Sequence, residues 1–223
     1  MAIAYASNFG ATNSDGAAAT RTVSGLTISA GSLVVVGLNH YTDISVTGVA
    51  DDLSANATFA VARYGATGTK RCELWYFMNH GGGTRNFTVT YATSAQYGYV
   101  CVSEYTGAAL TDAFEGKASN NASGTTPTTG NLDVTPSVDG MLIVGHCTGY
   151  TNCAGAAPFT QIDVDGVSTW GNHEFYVQPT KADIAATWTQ NSGGYAAVAA
   201  SFLPPSAAGI IQHATHHYQN MRG

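Results

Sequence analysis

The sequence predicts an all-β protein: a jelly-roll-like β-sandwich built from two sequence-similar halves, with extended N- and C-terminal arms. Three observations lead to this prediction. Short runs rich in Val, Thr and aromatic residues recur at intervals of roughly 8–12 residues, a spacing typical of sandwiches and barrels. Gly makes up 26 of the 223 residues and charged residues only 10%, which suits many tight turns. A helix-compatible pattern is confined to the last dozen residues.

Six strands are predicted in the first half, at 21–29, 32–41, 57–64, 71–79, 85–93 and 97–105. In the run RNFTVTYAT, Phe87, Val89 and Tyr91 share one face and the intervening threonines share the other. That alternation indicates a strand with one face in a core. The run SLVVVG is continuously apolar, which predicts a central strand covered on both faces.

The second half repeats these patterns in the same order. The segment GSLVVVGLNHYT (31–42) aligns with DGMLIVGHCTGYT (139–151), and three further strands align after it. The aligned aromatic pairs are Trp75 with Phe175, Tyr76 with Tyr176, Tyr91 with Trp188, and Tyr105 with Phe202. Trp75 and Trp188 fall inside aligned strands, so both are predicted to lie in a core.

Two architectures fit this repeat. The favoured one has an N-terminal arm (1–19), one sandwich (20–205) whose halves, 20–115 and 131–205, interleave, and a C-terminal docking arm (206–223). The alternative is two Ig-like domains in tandem, at about 20–107 and 119–204. The segment 116–131 lacks periodicity and is interpreted as a surface connection.

These strand signatures resemble an internally duplicated, jelly-roll or Ig-like β-sandwich module of bacteriophage virion proteins and bacterial surface proteins. The residues concerned are the apolar strands GSLVVV and DGMLIV, the aromatic strands LWYF and EFYV, the strand GTRNFTVTY, and the closing segments EYTG and AASFLPP. The resemblance covers about residues 20–205. It implies a structural virion protein, most simply a capsid decoration or cement subunit, with a tail or fibre component as a variant.

Charge and hydropathy restrict the partners. Eight Lys and Arg against 14 Asp and Glu give a net charge of −6, so no basic patch is expected to bind nucleic acid. No apolar run approaches the ~20 residues of a membrane helix, and the N-terminus lacks the pattern of a signal peptide. We therefore expect no membrane contact, and a location on the virion surface after assembly in the host cytoplasm.

Nothing in the sequence indicates catalysis. There is no G-x-S-x-G nucleophile motif, and the four glutamates fall in no recognisable pair. His40, His80, His146 and His173 are widely separated and are interpreted as surface or packed residues. We expect no enzyme activity and no cofactor.

Carbohydrate binding is the main alternative, because aromatic rings in loops can stack on the apolar faces of sugars. The candidate glycan-contact residues are Tyr41, Tyr97, Tyr150, Trp170 and Tyr195. Under this hypothesis the protein is an adhesion module whose partners include surface glycans.

The C-terminal segment carries the candidate assembly residues. Ile210, Ile211 and Tyr218 follow the sandwich and could dock on the major capsid protein or on neighbouring copies of a homo-oligomer. On a helix, His213, His216 and His217 would share one face and could bind a metal ion. The alternative is a polar tail without either role.

Four cysteines leave the redox state open. Cys72 and Cys101 are predicted in strands, whereas Cys147 and Cys153 flank a short loop that a disulfide could close. A protein assembled in a reducing cytosol keeps free thiols, and one acting outside the cell favours pairing.

Overall fold

The computed structural model describes residues 2–14, 16–41, 44–53, 56–64, 70–149, 153–162 and 171–205. These residues form sixteen β-strands, every observed pairing is antiparallel, and none of them is helical. No helix in this part of the chain is therefore long and apolar enough to cross a membrane. The all-β prediction is confirmed.

The strand bounds are as follows: β1 (Ala4–Ser14), β2 (Ala18–Ile28), β3 (Ser32–His40), β4 (Val46–Asp51), β5 (Thr58–Tyr64), β6 (Arg71–His80), β7 (Gly83–Ala95), β8 (Gly98–Thr106), β9 (Phe114–Gly124), β10 (Thr128–Asn131), β11 (Met141–Thr148), β12 (Ala154–Gly155), β13 (Thr160–Gln161), β14 (Gly171–Gln178), β15 (Ala185–Thr189) and β16 (Gly193–Phe202).

The strands form four sheets. The first large sheet has the order β1-β8-β3-β6-β5 and the first small sheet the order β2-β7-β4. The second large sheet has the order β13-β14-β11-β16-β9 and the second small sheet the order β10-β15-β12. Each sheet draws its strands from one range, 4–106 or 114–202. Within the described residues the expected interleaving is therefore wrong, because no sheet mixes strands of the two ranges.

Three apolar cores lie between the sheets, so the layers follow one another as small, large, large, small. The central core joins the two large sheets; its members include Leu33, Val35, Leu74, Tyr105, Leu142, Val144, Val198 and Phe202. The first outer core joins the first large and small sheets; its members include Val34, Val36, Leu38, Phe87, Val89 and Tyr91. The second outer core joins the second pair; its members include Ile143, Cys147, Ala186, Trp188 and Ala199.

This layering explains the unbroken apolar strands. Every residue of β3 and every residue of β11 is buried, because each strand lies in the middle of a sheet with a core on both faces. In β7, by contrast, Phe87, Val89 and Tyr91 are buried while Thr90 faces water. Both predictions about these strands are confirmed.

Two segments differ from the sequence-based expectation. Residues 4–14, assigned to an arm, form β1 and pair with β8 from Ala4 to Ser14 with one register shift. Residues 116–131, assigned to a surface connection, contain most of β9 and all of β10. β9 pairs with β16 along its length. Backbone hydrogen bonds therefore hold this strand, whose side chains are mostly small or polar, and hydropathy does not reveal such bonds. The proposed arm at 206–223 lies outside the described residues.

The aromatic alignment is partly out of phase. Tyr105 and Phe202 both lie in the central core, as an alignment of equivalent residues requires. Trp75 instead packs against the first outer core, while its aligned partner Phe175 packs against the central core. A shift of one residue moves a side chain to the opposite face of a strand, so the alignment of β6 with β14 is wrong by an odd number of residues.

Candidate functional site

The most distinctive group of side chains lies between the two large sheets. It consists of Cys101 on β8, His146 on β11 and His173 on β14, called here the histidine–cysteine cluster. All three residues are completely buried. One side chain therefore comes from the first large sheet and two from the second.

Strand register brings these residues together. His146 and His173 are directly opposite each other on neighbouring strands, and Cys101 is opposite Gly37 on β3. Directly opposite side chains project to the same face of an antiparallel pair. Here that face is the one that meets the other large sheet, so both imidazoles point at the first sheet.

The distances within the cluster are short. His146 Nδ1 and His173 Nδ1 are 3.3 Å apart, and Cys101 Sγ is 3.8 Å from His146 Nδ1. The three donor atoms all lie within 4.8 Å of one another. Two nitrogens and one sulfur thus surround a single small region.

The outer nitrogen of each ring has its own partner. His146 Nε2 lies 3.2 Å from Asn39 Oδ1, and His173 Nε2 lies 2.9 Å from Ser103 Oγ. Both partners belong to the first large sheet. They fix the ring orientations and leave the two Nδ1 atoms facing the centre of the cluster.

Gly37 keeps that centre open. A β-carbon at position 37 would lie 2.7 Å from both Nδ1 atoms and 3.0 Å from Cys101 Sγ. Real β-carbons do not approach nitrogen so closely. The absence of a side chain at position 37 is what allows the three donor atoms to converge.

Burial also determines the protonation of the imidazoles. It lowers the pKa of His146 well below the usual range, with a further contribution from neighbouring His173. Burial lowers the pKa of His173 to about 3. Both rings are therefore neutral at physiological pH, which suits a hydrogen-bonding or metal-binding role and does not suit acid–base catalysis.

Sequence reasoning missed this cluster. The sequence predicts His146 and His173 to be surface or packed residues, because 27 positions separate them and neither belongs to a spacing motif. The sequence contained one usable signal. In each of the two apolar strands the histidine lies an even number of residues from apolar residues, so it shares their face. Recognising the pair also required the β11–β14 register, which the sequence does not specify.

The predicted glycan-contact residues are only partly brought together. Tyr41 and Tyr97 are 39% and 40% exposed, and their rings meet edge to face with centroids 5.8 Å apart. Tyr41 N donates a 3.0 Å hydrogen bond to Gln96 O, and Lys70 Nζ lies 5.9 Å from the centre of the Tyr41 ring. The two tyrosine side chains form one exposed patch, called here the tyrosine patch, whereas Lys70 beneath them is buried and donates to the carbonyl oxygens of Gly149 and Gly194.

The other three candidates do not extend the tyrosine patch. Tyr195 is 3% exposed and packs in the second outer core, so its ring has no free face for a sugar. Its inclusion among the contact residues is wrong for that reason. Tyr150 and Trp170 lie outside the described residues.

The predicted arm residues, Ile210, Ile211 and Tyr218, and the predicted metal-binding residues, His213, His216 and His217, also lie outside the described residues. The structure does describe the surface from which that segment departs. A groove of about 740 Å³ is lined there by the apolar residues Ala109, Leu110, Val138, Leu203, Pro204 and Pro205 and by the polar residues Thr111, Asp112, Ser137 and Asp139. Leu110 is 54% exposed and Val138 41% exposed, which is high for large apolar side chains.

The four cysteines are buried free thiols in this structure. Cys72 Sγ donates to the carbonyl oxygen of His146 at 3.3 Å, linking the two large sheets beside the histidine–cysteine cluster. Burial, together with the neighbouring Cys153 thiol, raises the pKa of Cys147 well above its usual value. Burial likewise raises the pKa of Cys72, so the Cys72 and Cys147 thiols remain protonated and are poor nucleophiles.

Two buried carboxyl groups have structural partners. Glu104 Oε1 accepts 2.7 Å hydrogen bonds from Ser29 N and Ser32 Oγ. Glu73 contacts the Arg71 guanidinium and accepts a 2.7 Å hydrogen bond from Trp75 Nε1. These carboxyls hold strands and turns in place.

No protein-family model matches the sequence, and no curated protein matches it. Among solved structures, the chain is similar to the crystal structure of the major capsid protein P2 from bacteriophage PM2. The TM-score is 0.28 and the sequence identity 10%, over 89% of this chain and 98% of that chain. A TM-score of this size establishes neither a shared fold nor a shared role.

Proposed function

We propose that the protein is a non-enzymatic structural component of a bacteriophage particle, a decoration or cement subunit on the capsid surface. A tail or fibre component is the variant of the same proposal. The observation that carries it is the apolar groove at the point where residues 206–223 leave the sandwich. Its partners would be neighbouring copies of the chain and the major capsid protein, after assembly in the host cytoplasm.

Backbone hydrogen bonds hold the wall of the groove in a fixed conformation. Ala109 N donates a 3.0 Å hydrogen bond to Leu203 O, and Leu203 N donates a 2.7 Å hydrogen bond to Ala113 O. These bonds attach the groove wall to the end of β16. Leu110 and Val138 then present apolar area on a fixed framework, which is how a docking surface limits the entropy lost on binding.

The occupant we propose is the 206–223 segment of a neighbouring copy. Pro204 precedes Pro205, and a residue before proline favours extended backbone, which suits a segment that reaches a neighbouring copy. The 18 residues after Pro205 could span up to roughly 60 Å when extended. Ile210, Ile211 and Tyr218 supply apolar side chains that match the groove.

The outer surface suits an exposed particle component. On the first small sheet, Thr22 and Thr88 hydroxyls are 2.9 Å apart, and those of Thr27 and Thr84 are 3.1 Å apart. These cross-strand pairs make an uncharged, polar face on a sheet whose other side is core. A face without apolar patches resists nonspecific association. This property supports the proposal of a subunit that is exposed in many copies on one particle.

We also propose that the four layers are a duplicated unit. The orders β1-β8-β3-β6-β5 and β9-β16-β11-β14-β13 correspond position by position, as do β2-β7-β4 and β10-β15-β12. This correspondence supports two sequence-similar halves, each a two-sheet sandwich. The jelly-roll-like character of the sandwich that the two halves form stays a prediction.

The assembly proposal is tested with the full chain and three variants. Light scattering after gel filtration should show an oligomer for the wild type and monomers for a chain ending at Pro205 and for L110R. The matched control is L53R, because Leu53 is 66% exposed at a site remote in sequence from the groove. A monomeric wild type, or an L110R protein that assembles normally, would contradict groove docking.

The virion role has its own measurement. Mass spectrometry of purified native particles should detect the chain in stoichiometric amount, and electron microscopy should place its copies on the outer lattice. Particles that lack the chain would refute the virion role even if the purified protein forms oligomers.

Carbohydrate-mediated adhesion is the second candidate, and the tyrosine patch is the observation that favours it. Two half-exposed rings that meet edge to face form a surface on which a sugar can stack. Glycan-array binding that Y41A and Y97A each reduce at least tenfold, without loss of thermal stability, would support adhesion. Binding unchanged by both variants would exclude this patch.

A further inference from the structure

We propose that Cys101, His146 and His173 bind one thiophilic transition-metal ion, Zn²⁺ or copper, at the centre of the contact between the two large sheets. The site is independent of the virion role and of the C-terminal histidines. Binding would displace the Cys101 thiol proton to solvent and leave a thiolate with two neutral imidazoles as ligands.

The donor separations fit metal coordination. With Zn–S bonds of about 2.3 Å and Zn–N bonds of about 2.0–2.1 Å, tetrahedral geometry separates two nitrogens by roughly 3.3 Å and nitrogen from sulfur by roughly 3.6 Å. The observed separations are 3.3 Å for the two Nδ1 atoms and 3.8 Å for Cys101 Sγ and His146 Nδ1. The third pair, Cys101 Sγ and His173 Nδ1, lies within 4.8 Å, so ion binding would draw these two side chains together by at most about 1.2 Å.

The outer hydrogen bonds direct both Nδ1 lone pairs inward. Asn39 Oδ1 can only accept, so His146 Nε2 carries the proton. The Ser103 hydroxyl is 3.4 Å from Val35 O, and donating there leaves its oxygen to accept from His173 Nε2. Two nitrogen lone pairs then face each other at 3.3 Å, an arrangement that a cation between them would stabilise.

The ligand atoms of the cluster favour a soft or borderline metal ion. The ligand set is one sulfur and two imidazole nitrogens, and among the described residues no carboxylate oxygen joins it. Such ligands favour zinc and copper over magnesium or calcium. A side chain at position 37 would exclude an ion, because a β-carbon there would stand against all three donor atoms.

The ion would act as a cross-link. Cys101 belongs to the strands of residues 4–106, and both histidines belong to the strands of residues 114–202. An ion that binds only the folded arrangement stabilises it by mass action. Its removal should therefore lower the melting temperature of the whole four-layer body.

The test uses full-length, untagged protein, refolded with Zn²⁺, with Cu⁺ under reducing conditions, or with Co²⁺ as a spectroscopic probe. Elemental analysis should give one metal per chain and shows which ion is retained. Cobalt should produce a thiolate-to-metal charge-transfer band and intense visible d–d bands, which indicate a coordination number of four or fewer. The melting temperature should fall on chelation.

Two controls separate this site from other ligands. C101A should lose at least tenfold in metal affinity together with the charge-transfer band, whereas C147A, another fully buried cysteine, should keep both. The triple variant H213A/H216A/H217A should also keep the band, because the C-terminal segment contains no cysteine.

Three results would overturn the proposal. The first is a wild-type chain that retains neither zinc nor copper and gives no cobalt–thiolate band. The second is metal binding without that band and lost in the histidine triple variant. The third is a band that C101A retains. The wild-type cobalt spectrum needs no substitution, so it decides the question even if C101A does not fold.

Discussion

Gly37 on β3 and His146 on β11 approach so closely that a β-carbon at position 37 would lie 2.7 Å from His146 Nδ1. They come from different large sheets, so this contact sets how near the sheets can lie at the centre of the molecule. The histidine–cysteine cluster and the central core depend on the same separation.

A methyl group at position 37 should therefore destabilise the protein. We expect G37A to lower the free energy of unfolding by about 1–3 kcal/mol, because the sheets must separate or the imidazoles must leave their rotamers. The control is G48A in β4, where a β-carbon meets nothing within 4 Å and the protein should be as stable as the wild type or slightly more so. Urea denaturation of the two variants measures the difference, and equal stabilities would mean that the sheets yield freely.

Trp188 should be the costliest single aromatic residue to remove. Its side chain is fully buried in the second outer core, and its Nε1 donates a 3.0 Å hydrogen bond to Asn172 Oδ1. We expect W188A to cost about 3–5 kcal/mol. W75A should cost less, because Trp75 is only half-buried. A larger loss for W75A in chemical denaturation would contradict this order.

Glu104 should stabilise the β2–β3 turn through its acceptor oxygen. In E104A the buried Ser32 hydroxyl and the Ser29 amide lose their 2.7 Å partner, at a cost of about 1–3 kcal/mol for each unsatisfied donor. E104Q keeps an amide oxygen in the same place and should recover most of the loss. Calorimetry of the pair distinguishes the acceptor from the charge, since an E104Q as unstable as E104A would show that the charge is required.

Alkaline stability should depend on Tyr91. Burial raises the pKa of Tyr91 to about 12, against the opposing effect of the Arg21 guanidinium; Glu73 adds a small rise, and the His40 ring packs against its edge. The folded-state pKa lies above the unfolded value of about 10, so the unfolded chain loses its proton first. The contribution of Tyr91 is complete below pH 10 and is lost between about pH 10 and 12, by about 2–3 kcal/mol.

Y91F removes the titrating hydroxyl, so its free energy of unfolding should decline less steeply over that pH range. Y97F is the matched control, because folding leaves that ring half exposed to water. Parallel declines for wild type and Y91F in denaturation at a series of pH values would contradict the assignment.

The alternation of apolar and polar residues, together with the turn residues, was sufficient to predict most strands of the first half. The threonine face of β7 and the unbroken apolar run of β3 were predictable, because side-chain period and two-sided burial leave a direct trace in the sequence. The sequences of β1 and β9 show neither of these patterns. Apart from Tyr5, Phe9 and Phe114, their side chains are small or polar, and backbone pairing with β8 and β16 holds them in strands.

The tertiary structure alone decided which residues meet across the large sheets. Cys101, His146 and His173 lie on three strands, and their meeting depends on register and on the separation that Gly37 permits. A register change of one residue would send each side chain to the opposite face, yet it would leave the composition and the strand pattern unchanged. Most strands could therefore be predicted from the sequence, whereas the cluster could not. Local residue patterns do not specify which distant strands pair or in which register.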